Sequence, residues 1–304
     1  MSSRHPYGIR QPVGFPHLPS DWITEADSFP STGGNTKLFA YIHRKKDVST
    51  PKRILIISHG FGEHAGRYLH FPHYLAGTVD MIYAHDHIGH GRSDGQRGDA
   101  PEFDRFTDDL ALVVKRVHAK FENSELHLFG HSMGGHVVLR LGFLHPDLPL
   151  RSIIVSAPWL GLVKRPPLAL LGVAKLLSWT YGTLSLSADV DAETISSDRH
   201  VVENYLADRL NHSKMTPRLY DSVNRAIRNT LSRDDDFLYP VRFLIPGNDG
   251  LIDAGVTRTF FDHLHAAQKD AVDFTESRHE GMNDVMKEKF LQAVSEWILA
   301  QSKV

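Results

Sequence analysis

Gly130-His131-Ser132-Met133-Gly134 lies between an apolar run at residues 125–129 and a segment of helical spacing at residues 135–145. Gly-x-Ser-x-Gly between a strand and a helix is typical of a nucleophile elbow, a turn so tight that only glycine fits two positions before and after the serine. The turn holds the serine in a strained backbone conformation with its hydroxyl exposed above the sheet. The pattern therefore predicts that Ser132 is a catalytic nucleophile.

Short apolar or β-branched runs alternate along the chain with longer segments of helical spacing. Strands separated by helices indicate βαβ units and a mostly parallel sheet, so we expect an α/β fold with helices on both sides of that sheet. The predicted strands are residues 37–43, 53–58, 81–84, 126–129, 151–155, 241–245 and 271–275, and the predicted helices are 106–121, 135–145, 256–267 and 285–300.

The alternation stops after residue 157, where the pattern is helical and offers no convincing strand before residue 240. This segment opens with an apolar helix predicted at residues 166–179, which Pro166 and Pro167 can begin because proline is tolerated in a first turn. An inserted cap of this kind covers the carboxyl edge of the sheet, where ligands bind in open α/β folds. The expected divisions are an N-terminal extension at 1–22, an α/β core at 23–157 and 240–304, and a helical cap at 158–239.

Composition excludes several classes of protein. The chain has 304 residues, 41% of them hydrophobic, and a formal net charge of -2. It therefore lacks the excess of positive charge that is typical of a protein with a nucleic-acid partner. It has no cysteine, which excludes disulfides and thiolate catalysis. We see no secretory leader and no apolar run of membrane-spanning length, and we expect a cytoplasmic protein.

A serine nucleophile needs a base and an acid that orients the base, in the chain order Ser, acid, His for this type of elbow. His279 follows the strand predicted at 271–275, and Asp249 follows the strand predicted at 241–245. Both loops therefore lie at the same edge of a parallel sheet as the elbow, which favours Asp249 and His279 as partners of Ser132. Asp253 is the rival acid, although it also suits the N-cap of the next helix.

Two backbone N–H groups are needed to stabilise the oxyanion, and the residue after the nucleophile, Met133, supplies one. The second is expected from the loop after the strand at 53–58, where the glycines of His59-Gly60-Phe61-Gly62-Glu63-His64 can turn an amide toward the site. We assign Phe61 as that donor.

Twenty histidines raise the question of a metal, and the densest cluster is His85, His87 and His90. Metal sites need convergent ligands with supporting partners, and this cluster lies in a loop after a predicted strand. We therefore interpret these residues as hydrogen-bonding loop histidines and expect neither a metal nor a cofactor.

Three motifs together resemble the monoacylglycerol lipase and lysophospholipase branch of the α/β-hydrolases, namely HGFGEHAGRY at 59–68, DHIGHGRS at 86–93 and GHSMGG at 130–135. The resemblance runs from about residue 39 to the C-terminus. It implies an α/β-hydrolase fold, a cofactor-free serine hydrolase, and a substrate ester with one long acyl chain and a small polar head. It also implies the triad and oxyanion donors that the residues themselves favour.

The resemblance further implies that Glu63, Arg67 and Tyr205 bind the glycerol head group. The alternative for Glu63 and Arg67 is a local ion pair on the surface, because residues four apart commonly pair. The sequence departs from the family at Met282, where a second head-group histidine is expected, and at Asp249, which stands one residue early in its motif.

Several alternatives stay open. A lysophospholipase or a broad carboxylesterase would carry the same motifs, and so would a peptidase, for which Asp189, Asp191 and Glu193 could bind an amine. A non-catalytic lipid-binding homologue would be expected to lose a triad residue. The apolar helix at 166–179 could contact a membrane peripherally, or it could be a buried cap helix or a dimer contact.

Overall fold

The computed structural model describes residues 7–8, 11–164, 168–188 and 190–302, and for residues 168–171 it describes the backbone alone. The strands are β1 (Trp22–Pro30), β2 (Lys37–Lys45), β3 (Arg53–Ser58), β4 (Met81–His85), β5 (Glu125–His131), β6 (Leu150–Ser156), β7 (Leu186–Ser187), β8 (Lys214–Met215), β9 (Val241–Pro246) and β10 (Lys269–Phe274). The helices are α1 (Phe71–Leu75), α2 (Asp104–Lys120), α3 (Met133–Leu144), α4 (Leu168–Thr180), α5 (Arg199–Ala207), α6 (Pro217–Leu231), α7 (Ala254–His263) and α8 (Lys287–Gln301).

Eight strands form one sheet in the order β1-β2-β4-β3-β5-β6-β9-β10. The pairs β1–β2 and β2–β4 are antiparallel, and every other pair is parallel, which confirms the predicted mostly parallel sheet. The crossovers between parallel strands follow from the helices that connect them.

The sheet is covered on both faces. One hydrophobic cluster joins it to α2 and α3 through residues such as Phe106 and Val137, and the other joins it to α1 and α8 through Phe71 and Phe290. Burial on both faces explains why β3 is a continuous apolar run rather than an alternating one.

Some predicted boundaries were wrong. The helix predicted to reach residue 267 ends at His263. The ammonium of Lys269 donates hydrogen bonds to the backbone carbonyls at this end of α7, those of Phe261, Asp262 and Leu264, and these bonds replace the next helical turn. The strand β1 was not predicted, since its residues are mostly polar.

The segment between β6 and β9, here called the β6–β9 insertion, adds no strand to the main sheet among its described residues. It does contain β7 and β8, which pair with each other, so the expectation of a segment without strands was wrong. Pro166, Pro167 and Asp189 lie outside the described residues, and the helix predicted at 166–179 is described from Leu168 to Thr180.

The insertion is bonded to core loops at the carboxyl edge of the sheet. His212 donates its backbone N–H to the carbonyl of Gly62 at 2.8 Å, and Thr216 donates to that of Gly98 at 3.0 Å. None of the helices in the described ranges is long and apolar enough to cross a membrane.

Candidate active site

Ser132 occupies the turn between β5 and α3 with φ 55° and ψ −116°, a strained conformation for a residue with a side chain. A Cβ at Gly134 would lie 2.0 Å from the carbonyl oxygen of Ser58, and one at Gly130 would lie 2.2 Å from that of Gly134. Both glycines are therefore required for close backbone approach. The amide of Ser132 donates to the carbonyl of Ser156 at 2.9 Å, which fixes the turn against β6.

His279 and Asp249 meet at this edge of the sheet, since Nδ1 of the imidazole lies 2.7 Å from Oδ2 of the carboxylate. A carboxylate can only accept, so Nδ1 carries the proton and Nε2 is left as an acceptor. The other carboxylate oxygen of Asp249 accepts the backbone N–H groups of Leu251 and Ile252 at 2.8 and 2.9 Å. The acid is thus held in place from both sides.

The charges of this pair favour each other. Burial alone lowers the pKa of His279, but the charge and hydrogen bond of Asp249, together with the Glu280 and Glu63 carboxylates, raise it above its ordinary value. Burial likewise raises the pKa of Asp249, but His279 and two backbone donors bring it below its ordinary value. The site is therefore arranged to stabilise an imidazolium at His279.

Asp253, the rival acid, has a different role. Its side chain accepts the backbone N–H groups of Gly255 and Val256 at the start of α7, which confirms the N-cap interpretation.

Ser132 and His279 line one cavity of about 100 Å³ at the carboxyl edge of the sheet. The loop that holds Phe61 also reaches it, and a Cβ at Gly60 would lie 3.3 Å from the Cβ of Ser132. Met133 is the first residue of α3, so its N–H has no acceptor within the helix. The described lining residues are Gly60, Phe61, Glu63, His131, Ser132, Trp159, Leu162, Val190, Ile195, Tyr205, Leu251, Ile252, His279 and Glu280.

Glu63 and Arg67 form an ion pair, with Arg67 Nη1 2.8 Å from Glu63 Oε2, but the pair is buried rather than on the surface as the alternative interpretation has it. Glu63 also accepts the backbone N–H of Gly60 at 2.5 Å and the hydroxyl of Tyr68 at 2.8 Å. These bonds hold the 59–64 loop in position beside Ser132.

Glu280 was not predicted, and it completes this charged cluster. Its carboxylate binds Arg67 through two bonds of 2.5 and 2.6 Å and accepts Asn283 Nδ2 at 2.9 Å. The one signal in the sequence is its position directly after His279.

Tyr205, from α5 of the insertion, also lines the cavity, and the guanidinium of Arg67 lies 4.9 Å from its ring centre. Burial is the main reason that the pKa of Tyr205 rises to about 12, so its hydroxyl is protonated at neutral pH. The hydroxyl has no hydrogen-bond partner in the part of the chain that the structure describes. A nearby bond of 3.0 Å between His64 and Asp208 ties the end of α5 to the core.

Met282, at the position of the expected second histidine, is fully buried and packs in the cluster that includes α1 and α8. It does not line the cavity. The cavity has no imidazole from this position.

The loop histidines are buried in a group of rings. Nε2 of His87 is hydrogen-bonded to the hydroxyl of Ser58 at 3.0 Å, and the ring centres of His87 and His59 lie 4.5 Å apart. Nδ1 of His90 is hydrogen-bonded to the backbone carbonyl of Ile88. Burial is the main cause that lowers the pKa of His85 to about 4 and of His90 to about 3. Within the described ranges, no three His, Cys, Asp or Glu side chains form a group that could hold a metal ion.

A strained serine between strand and helix, at the edge of a mostly parallel sheet, defines an α/β-hydrolase. A family model described as "Serine aminopeptidase, S33" matches residues 49–286. The chain therefore belongs to this family.

Its relatives include lipases. The monoglyceride lipase homolog of monkeypox virus is 27% identical over 271 residues, covering 86% of this chain and 96% of that protein. The monoacylglycerol lipase of Mycolicibacterium smegmatis is 26% identical over 251 residues, covering 82% of this chain and 89% of that protein. The crystal structure of Paleococcus ferrophilus monoacylglycerol lipase has a TM-score of 0.77 and 27% sequence identity to this chain, covering 92% of this chain and 100% of that one. The chain is a carboxylic ester hydrolase similar to these lipases.

Proposed function

We propose that the chain hydrolyses the ester bond of monoacylglycerols or similar single-chain lipids, with Ser132, His279 and Asp249 as its catalytic residues. The observation that carries this proposal is the cavity that Ser132 and His279 share, with Asp249 bonded to His279 from behind. The lipase names of the relatives support the substrate class.

The reaction proceeds in two steps of acyl transfer. Nε2 of His279 takes the Ser132 proton as the serine oxygen attacks the ester carbonyl, and the N–H groups of Phe61 and Met133 stabilise the oxyanion. His279 then protonates the leaving alcohol, and a water activated by the same imidazole hydrolyses the acyl-enzyme. Asp249 keeps the proton on Nδ1 and stabilises the imidazolium.

The lining of the cavity suits a molecule with a polar head and an apolar chain. Glu63, Tyr205 and Glu280 supply polar groups connected to Arg67. Trp159 and Ile252 belong to the main hydrophobic cluster, and Leu162 and Leu251 pack against it. The head group would contact the first set and the acyl chain the second.

A peptidase is the second candidate, because the matching family model carries an aminopeptidase description. An aminopeptidase needs a carboxylate free to bind an amine. In the part of the chain that the structure describes, Glu63 and Glu280 are paired with Arg67, and Asp191 accepts the N–H of Glu193 at 3.0 Å. Asp189 lies outside the described residues. The lipase names of the relatives favour the ester over the amide.

A substrate panel tests this proposal and separates its alternatives. The wild type should release fatty acid from a monoacylglycerol faster than it cleaves a lysophospholipid, a short-chain ester or an aminoacyl amide. Faster cleavage of the amide would establish a peptidase, and equal rates on every ester would establish a broad carboxylesterase. No reaction, and no labelling by a fluorophosphonate, would establish a non-catalytic homologue.

We also propose that residues 158–239 act as a cap that guides the acyl chain to Ser132. The cavity beside Ser132 has a volume of about 100 Å³, so most of a long acyl chain would lie beyond it, along residues of the insertion. The helix α4 carries exposed apolar side chains at Val173, Leu176 and Trp179, the last of them 79% exposed. A short helix with this surface suits reversible contact with a lipid surface.

The membrane role is tested with Leu176→Glu combined with Trp179→Glu. This variant should lose binding to lipid vesicles while it keeps hydrolysis of a soluble short ester. The control is Leu299→Glu, which changes an exposed leucine on α8 of the core. Vesicle binding that is absent in the wild type, or the same in both variants, would disprove membrane contact through α4.

A further inference from the structure

The charged groups beside His279 are not balanced. Glu63 and Glu280 share the single guanidinium of Arg67, so the cluster has one carboxylate in excess. All three side chains are at most 7% exposed, which keeps solvent from screening their charges.

Arg67 is withheld from any ligand. Nη1 binds both Glu63 and Glu280, Nη2 binds Glu280, and the ring of Tyr205 lies against the guanidinium. Arg67 does not line the cavity, whereas the residues Glu63 and Glu280 do. The side chain that would best bind a phosphate is therefore occupied.

No other cation replaces it. Neither lysine nor arginine lines the cavity among the residues that the structure describes. Burial lowers the pKa of His131, the second lining histidine, to about 3, so this imidazole is neutral. The positive charge that forms on His279 is used in the reaction itself.

We propose that Glu280 determines head-group specificity, so that the site accepts lipid esters with uncharged head groups and rejects those whose head group carries a phosphate. The proposal rests on the ester hydrolysis proposed above. The leaving alcohol must lie beside His279 to receive its proton, and Glu280 is the next residue. A phosphate there meets excess negative charge in a buried site, where charges repel strongly. A glycerol hydroxyl instead donates to a carboxylate oxygen.

The test compares two substrates that differ by one phosphate. One is a 1-acylglycerol with a medium-length chain, and the other is the same molecule phosphorylated on the 3-hydroxyl, both used below their micellar concentrations. The wild type should show a kcat/KM ratio that favours the neutral ester by roughly a hundredfold or more. Glu280→Gln keeps the shape and removes the excess charge, so the ratio should fall by roughly tenfold or more.

Two matched variants separate charge from structure. Glu280→Asp retains the carboxylate and should retain the discrimination. Glu276→Gln removes the same charge from an exposed position in the same loop and should leave the ratio as in the wild type. A Glu280→Gln variant that loses activity equally on both esters would show a merely structural role and overturn the proposal.

The wild-type ratio remains decisive if Glu280→Gln does not fold. Equal hydrolysis of both esters by the wild type would overturn the head-group proposal and leave the proposed ester hydrolysis intact. No fatty acid from either ester would instead contradict the proposed function, and this proposal with it.

Discussion

Replacing Asp249 by asparagine changes one atom in a position where the structure allows little freedom. Oδ1 of Asp249 accepts two backbone N–H groups, from Leu251 and Ile252, and Oδ2 faces Nδ1 of His279 at 2.7 Å. An asparagine can keep the two backbone bonds only with its oxygen on that side. Its NH₂ group then faces His279 and requires Nδ1 to be the acceptor, so the proton moves to Nε2.

An imidazole protonated at Nε2 cannot take the proton of Ser132. We therefore expect Asp249→Asn to lower kcat by about 10⁴, the scale known for the wrong tautomer in a serine triad. The loss of a charge-assisted bond should reduce the free energy of unfolding by only about 1.5–3 kcal/mol. The assay is kcat on a soluble p-nitrophenyl ester, with thermal unfolding measured on the same sample.

Asp253→Asn is the matched control. Asparagine caps a helix about as well as aspartate, so this change should leave kcat within a factor of about two and stability nearly unchanged. Retention of more than a tenth of wild-type kcat by Asp249→Asn, or a larger loss in Asp253→Asn, would refute the assignment of the acid.

Three further outcomes are expected. Because the pKa of His279 is raised, the acid limb of the wild-type pH–rate profile should lie above the ordinary imidazole value of about 6.5. Glu280→Gln should move this limb to lower pH, since the Glu280 charge helps to raise the pKa of His279. A limb that stays in place in the variant would contradict this effect of Glu280 on His279. Gly134→Ala should lower the free energy of unfolding by about 1–3 kcal/mol, because its Cβ would clash with backbone atoms. Gly172→Ala on α4, with open space around it, should leave the free energy of unfolding unchanged or raise it by up to about 1 kcal/mol. Equal melting temperatures for these two variants would show that the close backbone approach at Gly134 does not matter for stability. Tyr205→Phe should cost about 0.5–1.5 kcal/mol in kcat/KM on a monoacylglycerol and less on a p-nitrophenyl ester of the same chain, whereas equal losses would make the residue structural.

The parts of the fold and site that sequence predicted well depend on local patterns. The elbow could be predicted because two glycines and a serine meet a steric requirement within five residues. Asp249 and His279 could be brought to one edge because parallel strands end together, and β9 and β10 are indeed parallel neighbours. Each of these inferences needed only strand positions and chain order.

What was missed depends on contacts between distant residues. Glu280 binds Arg67 across 213 positions of the sequence, and no local pattern indicates that partner. Met282 faces the core because the turn at residues 281–283 directs it there, away from the cavity. The predicted end of α7 was wrong because the carbonyls at that end bond the side chain of Lys269, which lies beyond the helix in the sequence.

The proposed function depends on Ser132 as the nucleophile that cleaves a single-chain lipid ester. Its most direct test is the rate of fatty-acid release from a monoacylglycerol by the wild type and by Ser132→Ala. We expect release by the wild type and a loss of about 10⁴ or more in kcat for a folded variant, as in other serine hydrolases that lose the nucleophile. Release by Ser132→Ala at more than a tenth of the wild-type rate would contradict it, and so would a wild type that does not release fatty acid.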